Sequence, residues 1–152
     1  MTSENKITGG RTITETDLVM FTYFTGDWLY LHTDKVAAEK SIFGERVAHG
    51  YLTLAVSLGL MVRSGAINTD VFLALKSIEN VRFLKPVKIG DTLSVSYSIE
   101  RKESQDGKII VRTAARTFNQ RNECVMEFTT IHIERMRIGG NNSNENIQTV
   151  KE

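Results

Sequence analysis

The sequence predicts an α+β domain in which an antiparallel sheet packs against one long buried helix. Three observations point there. Apolar residues between 14 and 65 recur mostly at helical spacing, whereas those between 71 and 133 alternate with the strand period. The alternating segments are long, consecutive and separated by short turn signals, which favours antiparallel pairing. Finally, the segment from Tyr51 to Val62 is apolar on every side of a helix, and such a helix is buried.

Composition bounds the function before any motif is considered. The chain has 152 residues, 41% of them hydrophobic and 24% charged, the profile of one soluble globular domain. Nineteen Lys+Arg against eighteen Asp+Glu leave a net charge of +1, so bulk charge supports neither nucleic-acid nor membrane binding. With one cysteine, Cys124, neither an intrachain disulfide nor a cysteine-rich zinc site can form. Cys124 lies in a strand pattern, where a buried inert thiol is expected. No secretory signal opens the chain, and Tyr51–Val62 is too short to span a bilayer. The expectation is a cytoplasmic protein with no membrane partner. Three organisational units are expected: a flexible N-terminus over 1–10, a domain over 11–138, and a disordered tail over 139–152, where apolar residues nearly vanish.

The elements follow in order. Thr14 and Asp17 form a capping-box pattern ahead of Leu18, Phe21 and Phe24, and Gly26 ends that helix. A short helix is expected from Asp34 to Lys40. The central helix falls between Val47 and Gly65, with Gly65 as its C-terminal cap. Val71 to Leu84 is rich in β-formers. Leu93, Val95, Tyr97 and Ile99 line one strand face, Ile109, Val111, Thr113 and Ala115 a second, and Val125, Thr129, Ile131 and Ile133 a third. Turns fall at Ile89–Asp91, Gln105–Gly107 and Asn119–Asn122. One sheet cannot cover a helix that is apolar all round, so a second subunit or the first half of the chain must.

Few residues can carry chemistry. His132 lies in the last strand, where a packing role is expected. Asp27 and His32 lie in a stretch without regular pattern. Five residues apart, they would sit about 140° from each other on a helix and on opposite faces of a strand. Only a turn brings them together, and the two could then share and deprotonate a water. Asp27 as a turn residue with His32 packed nearby is the competing reading. His49 and Gly50 open the buried helix, whose unpaired N–H groups could hold a carbonyl oxygen developing negative charge. A helix start that merely needs a small residue is the alternative. Nucleophile elbows, phosphate-binding loops and zinc-protease motifs are missing from the sequence.

Three blocks then make the chain recognisable: Phe24-Thr25-Gly26-Asp27 with Leu31-His32-Thr33-Asp34 and Ser41-Ile42-Phe43-Gly44; Val47-Ala48-His49-Gly50-Tyr51-Leu52; and Val81 to Leu93, containing Arg82-Phe83-Leu84-Lys85-Pro86. In this order they resemble the MaoC-like dehydratases, or R-specific enoyl-CoA hydratases, of the hot-dog fold, over roughly Gly10 to Arg135. The resemblance implies an antiparallel sheet wrapped around a long central helix, a homodimer or an oligomer of dimers whose sheets join, and acyl-CoA thioester ligands. It implies that Asp27 and His32 hold the water and that the Gly50 N–H meets the thioester oxygen. His49, Tyr51, Tyr30, Arg82 and Lys85 are candidate substrate contacts, and Lys88 joins Arg82 and Lys85 as a candidate for the coenzyme A phosphates. No metal and no redox cofactor is expected. Between Asp27 and His32 the family usually reads x-Asn-Pro-Leu, whereas this chain has Trp28-Leu29-Tyr30-Leu31. The expected activity is hydration of a 2-enoyl-CoA or the reverse dehydration. A hot-dog thioesterase and a non-catalytic acyl-CoA-binding protein are the alternatives.

Overall fold

A computed structural model describes residues 5–136. The chain runs β1 (Lys6–Ile7), β2 (Arg11–Thr12), α1 (Glu15–Thr25), α2 (Tyr30–Thr33), α3 (Lys35–Glu39), α4 (Gly50–Arg63), β3 (Phe72–Phe83), β4 (Thr92–Glu103), β5 (Lys108–Phe118) and β6 (Cys124–Arg135). The sheet order is β1-β4-β5-β6-β3 with β2 also on β4, and every pairing is antiparallel. α4 packs on one face of this sheet: Leu52, Leu60 and Met61 share a core with Leu93, Val95, Val111, Ala115, Met126 and Phe128.

Local chemistry explains most element boundaries. The Asp17 N–H donates to Thr14 Oγ1 at 3.3 Å and the Thr14 N–H to Asp17 Oδ2 at 2.8 Å, completing the capping box of α1. Gly26 ends α1 at φ 76°, a left-handed conformation that favours glycine. α4 closes in a Schellman turn, with Gly65 N–H on Val62 O and Ala66 N–H on Met61 O. Gln105–Gly107 and Asn119–Asn122 form the hairpin turns, Asn122 taking φ 59°.

The start of the chain differs from expectation. Residues 5–10, read as a flexible start, are tied to the sheet: Lys6 and Ile7 pair with Tyr97 and Ser96, and the Thr8 N–H donates to Val95 O at 2.9 Å. Residues 139–152 lie outside the described residues. The central helix begins at Gly50, because Val47 forms a bridge to Lys88 and the Ala48 N–H donates to Val87 O. One side of α4 is uncovered in the single chain: Tyr51 is 70% and Val62 46% exposed.

The inner face of β6 is also the opposite of the one the alternation suggested. Met126, Phe128, Thr130, His132 and Glu134 face inward beside Thr117, Ala115, Thr113, Val111 and Ile109. Hydropathy misleads there because two polar residues are hidden as a pair. His132 and Glu134 are both buried and hydrogen-bonded at 3.1 Å, and Arg101 Nε lies 3.4 Å from the second Glu134 oxygen. His132 thus has the packing role expected of it.

A buried polar contact also links helix to sheet. Ser57 Oγ and Thr117 Oγ1 are 2.8 Å apart and neither residue is exposed. Ser57→Ala would leave the Thr117 hydroxyl without this partner, so urea unfolding should show a loss of about 1–3 kcal/mol.

Candidate functional site

The site forms where α1 ends, α2 turns and α4 begins. Gly26 lets the chain leave α1 sharply, and Asp27 follows at once. The Asp27 N–H donates to Thr25 Oγ1 at 3.2 Å, and Asp27 Oδ1 accepts from the Leu29 N–H at 3.3 Å. This short side-chain turn leads into α2, whose single helical turn carries His32. The sequence showed no regular structure here, since four residues are too few for a periodic signal. Leu29 and Tyr30 occupy the N-cap and first helical positions of α2. The family's Asn and Pro suit those positions, an amide as cap and a ring needing no N–H donor. Leu29 makes no side-chain cap. α2 is held instead by its neighbours: the Val47 N–H donates to Leu31 O at 3.0 Å, and Val47 O accepts from His32 Nδ1 at 2.7 Å.

That last contact assigns the tautomer of His32. A backbone carbonyl only accepts, so Nδ1 carries the proton and Nε2 keeps its lone pair. One nitrogen or carboxylate oxygen from each of Asp27, His32 and His49 lies within 4.8 Å of the others. Such separations would suit a metal ion, but the His32 and His49 rings are stacked, with centroids 3.8 Å apart and planes 27° apart. His32 Nδ1 and His49 Nε2 are each engaged with a backbone carbonyl, an arrangement that suits holding and moving a proton.

Asp27 and His32 open into a cavity of about 490 Å³, lined on its apolar sides by Leu29, Leu31, Phe43, Phe83 and Val125 among others. Gly50 and Tyr51, at the start of α4, also line it. Among the described residues the Gly50 N–H has no hydrogen-bond acceptor, as expected of a first helical position. The Phe83 ring covers Gly50 so closely that a Cβ there would lie 2.9 Å from Cζ. A larger residue here would have to displace the ring or the start of α4.

The other candidates divide. Tyr51 and Lys85 line the cavity. Lys85 is also paired with Glu123 at 2.6 Å, and Asn119, Lys85 and Arg121 together lower the Glu123 carboxyl to about 2. Lys88 pairs with Glu45. Tyr30 and Arg82 do not line the cavity, and Arg82 points to Glu127 at 3.6 Å on another face of the sheet. His49, expected as a substrate contact, is fully buried and is not among the residues lining the cavity. Sequence reasoning assigned no role to Phe83, which closes over Gly50, or to Thr22, which holds His49. Thr22 could have been marked by its helical spacing from Leu18, since both face the core.

Burial, and then the nearby His32, push the His49 imidazole below its ordinary pKa, against the opposing pull of the Asp27 carbonyl. The unfolded chain therefore takes up this proton at a higher pH than the folded one. Stability from His49 is complete above pH 6.5, its ordinary value, and falls as the pH drops below it. Thermal melts should show Tm decreasing from pH 7 downward, with a flatter profile in His49→Gln.

An antiparallel sheet packed against one long helix defines a hot-dog fold, with Asp27, His32 and His49 gathered near the start of that helix. Comparison with known proteins is more specific. Residues 3–120 match the model of the MaoC like domain, and the chain belongs to that family of MaoC-like dehydratases. It is 44% identical over 99 residues to protein MaoC of Klebsiella aerogenes, across 65% of this chain. The match spans only 29% of that longer protein. It is 30% identical to the 3-hydroxyacyl-thioester dehydratase Z of Mycobacterium tuberculosis, covering 70% of each chain. Among solved structures, a monoamine oxidase regulatory protein from Archaeoglobus superposes with TM-score 0.83 at 33% identity, over 90% of this chain and 92% of that one.

Proposed function

We propose that this protein adds water to a 2-enoyl-CoA, forming a 3-hydroxyacyl-CoA, or catalyses the reverse dehydration. The observation that carries the reading is the cavity, whose lining brings Asp27 and His32 together with Gly50, the first residue of α4, whose N–H is without an acceptor among the described residues. The thioester oxygen accepts a hydrogen bond from Gly50 N–H at the positive end of α4, which draws charge from the double bond. A water held by Asp27 and His32 loses a proton to this pair and adds at the β-carbon. The same pair returns a proton to the α-carbon, so the reaction closes with no redox cofactor and no metal. His32 enters with Nε2 free, as its bond to Val47 requires. The apolar walls suit an acyl chain, and Lys85 at the cavity suits a coenzyme A phosphate. The related 3-hydroxyacyl-thioester dehydratase supports the same reaction class.

The test measures three things on one preparation: hydration of enoyl-CoA substrates of several lengths, thiol release from saturated acyl-CoA, and equilibrium binding. Hydration is expected. Thiol release would instead identify a thioesterase, and binding without turnover an acyl-CoA-binding protein, a reading favoured by the likeness to a monoamine oxidase regulatory protein from Archaeoglobus.

We also propose a cytoplasmic homodimer or an oligomer of dimers. Among the described residues no helix is long and apolar enough to cross a membrane. Among the described residues β3 pairs only with β6, leaving a twelve-residue edge with Leu73 50% and Leu75 49% exposed. Open apolar edges attract a second strand. A dimer joined at β3 would cover this edge. Light scattering at micromolar concentration should give at least twice the monomer mass, and a stable folded monomer would refute the assembly.

A further inference from the structure

We propose that His49 is a positioning residue, whose buried ring supports His32 from behind and whose Nε2–H ties the backbone of Asp27, so that one side chain sets both halves of the acid–base pair. The inference rests on the hydratase reading of that pair. Four observations carry it. The His49 ring is fully buried and stacks on His32 at 3.8 Å. Its Nε2 lies 3.3 Å from Asp27 O and 3.1 Å from Thr22 Oγ1. Because Asp27 O can only accept, Nε2 bears the proton and donates there. Nδ1 then keeps a lone pair that meets no donor in a buried setting.

An unsatisfied buried nitrogen costs stability, and an apolar ring of similar size would avoid that cost. Histidine combines a flat face for stacking with an N–H for Asp27 O. The Phe21 ring, 5.0 Å from that of His49, and Thr22 on α1 restrict its movement. The neutral ring also matters to the chemistry. During turnover the Asp27–His32 pair holds the proton taken from water, and a second cation stacked against His32 would oppose its share in holding it. Asp27 and His32 are the titratable groups in its immediate surroundings, and both are the groups it positions.

Two substitutions separate the contacts. His49→Phe keeps a ring against His32 and loses the N–H to Asp27. His49→Gln keeps a donor and loses the ring. Each should lower kcat for enoyl-CoA hydration by about tenfold to a hundredfold with KM nearly unchanged, because small misplacements of reacting groups are costly and His49 does not line the cavity. Imidazole nitrogen shifts should show His32 protonated at Nδ1 in the wild type and mixed tautomers in His49→Gln. Thr22→Val, which removes the hydroxyl partner of His49 while keeping its shape, should lower kcat by a smaller factor. If the His49 variants do not fold, the Thr22→Val result decides, and an unchanged kcat overturns the proposal. It is also overturned if both His49 variants fold and retain kcat, or if KM rises while kcat holds, which would make His49 a substrate contact. A wild type that hydrates no enoyl-CoA overturns the hydratase reading itself. The positioning role is then judged on the His32 nitrogen shifts, and identical tautomers in wild type and His49→Gln overturn it.

Discussion

Asp27→Asn and His32→Ala should each lower enoyl-CoA hydration by about a hundredfold or more, the usual worth of positioned acid–base catalysis. Asp27→Asn keeps the size of the side chain and the turn contact to Leu29, and removes the charge that makes it a base. His32→Ala removes the nitrogen that Val47 leaves free for the cavity. Because the two act on one water, the double variant should be little worse than either single one. Equilibrium acyl-CoA binding should change far less, since the apolar walls and Lys85 remain. Steady-state hydration assays with binding isotherms check all three variants. If hydration survives in both single variants, the family assignment stands but the proposed site does not.

Gly50→Ala should be nearly as damaging, for a steric reason. A Cβ at position 50 would lie 2.9, 3.0 and 3.3 Å from three atoms of the Phe83 ring. Ordinary Cβ contacts are longer, so either the ring swings outward or the start of α4 shifts. Phe83 is 52% exposed and has room to swing, so the fold should survive. The catalytic cost should be larger, because the N–H proposed for the thioester oxygen belongs to the residue being displaced. Losing one such donor costs about a hundredfold to a thousandfold in kcat. The cause can be isolated by adding Phe83→Ala to Gly50→Ala. If the ring clash is the whole obstacle, the double variant should recover much of the lost kcat. No recovery would mean that an alanine at the helix start is itself incompatible with turnover.

Much of this fold is legible locally. The Thr14–Asp17 box, the Gly26 stop, the Gly65 turn and the hairpin turns depend on residues within a few positions of each other, and each is present. The alternation in β4 and β5 also reads correctly, since Leu93, Val95, Tyr97 and Ile99 face inward on β4 and the inward polar residues of β5 are small threonines. The residue types of the candidate pair, Asp27 and His32, were visible with the condition that a turn must join them. A turn does. β6 misleads because burying His132 and Glu134 requires that they pair with each other and with Arg101, a contact from another strand.

What the sequence determined by itself is therefore the order of elements, their caps and turns, and the chemical types gathered near the start of α4. The tertiary structure decided the rest. The free nitrogen of His32 depends on a carbonyl fifteen residues away, which any residue at position 47 could supply. The burial of His49 behind His32 depends on Thr22 and Phe21 of α1. The choice of Lys85 over Arg82 at the cavity depends on where β3 ends and on which face each side chain leaves it. Caps and turns are fixed by hydrogen bonds between near neighbours, whose spacing is written in the chain. Tautomer, burial and cavity lining are set by backbone groups and ring faces from distant segments, and these meet only when the chain has packed.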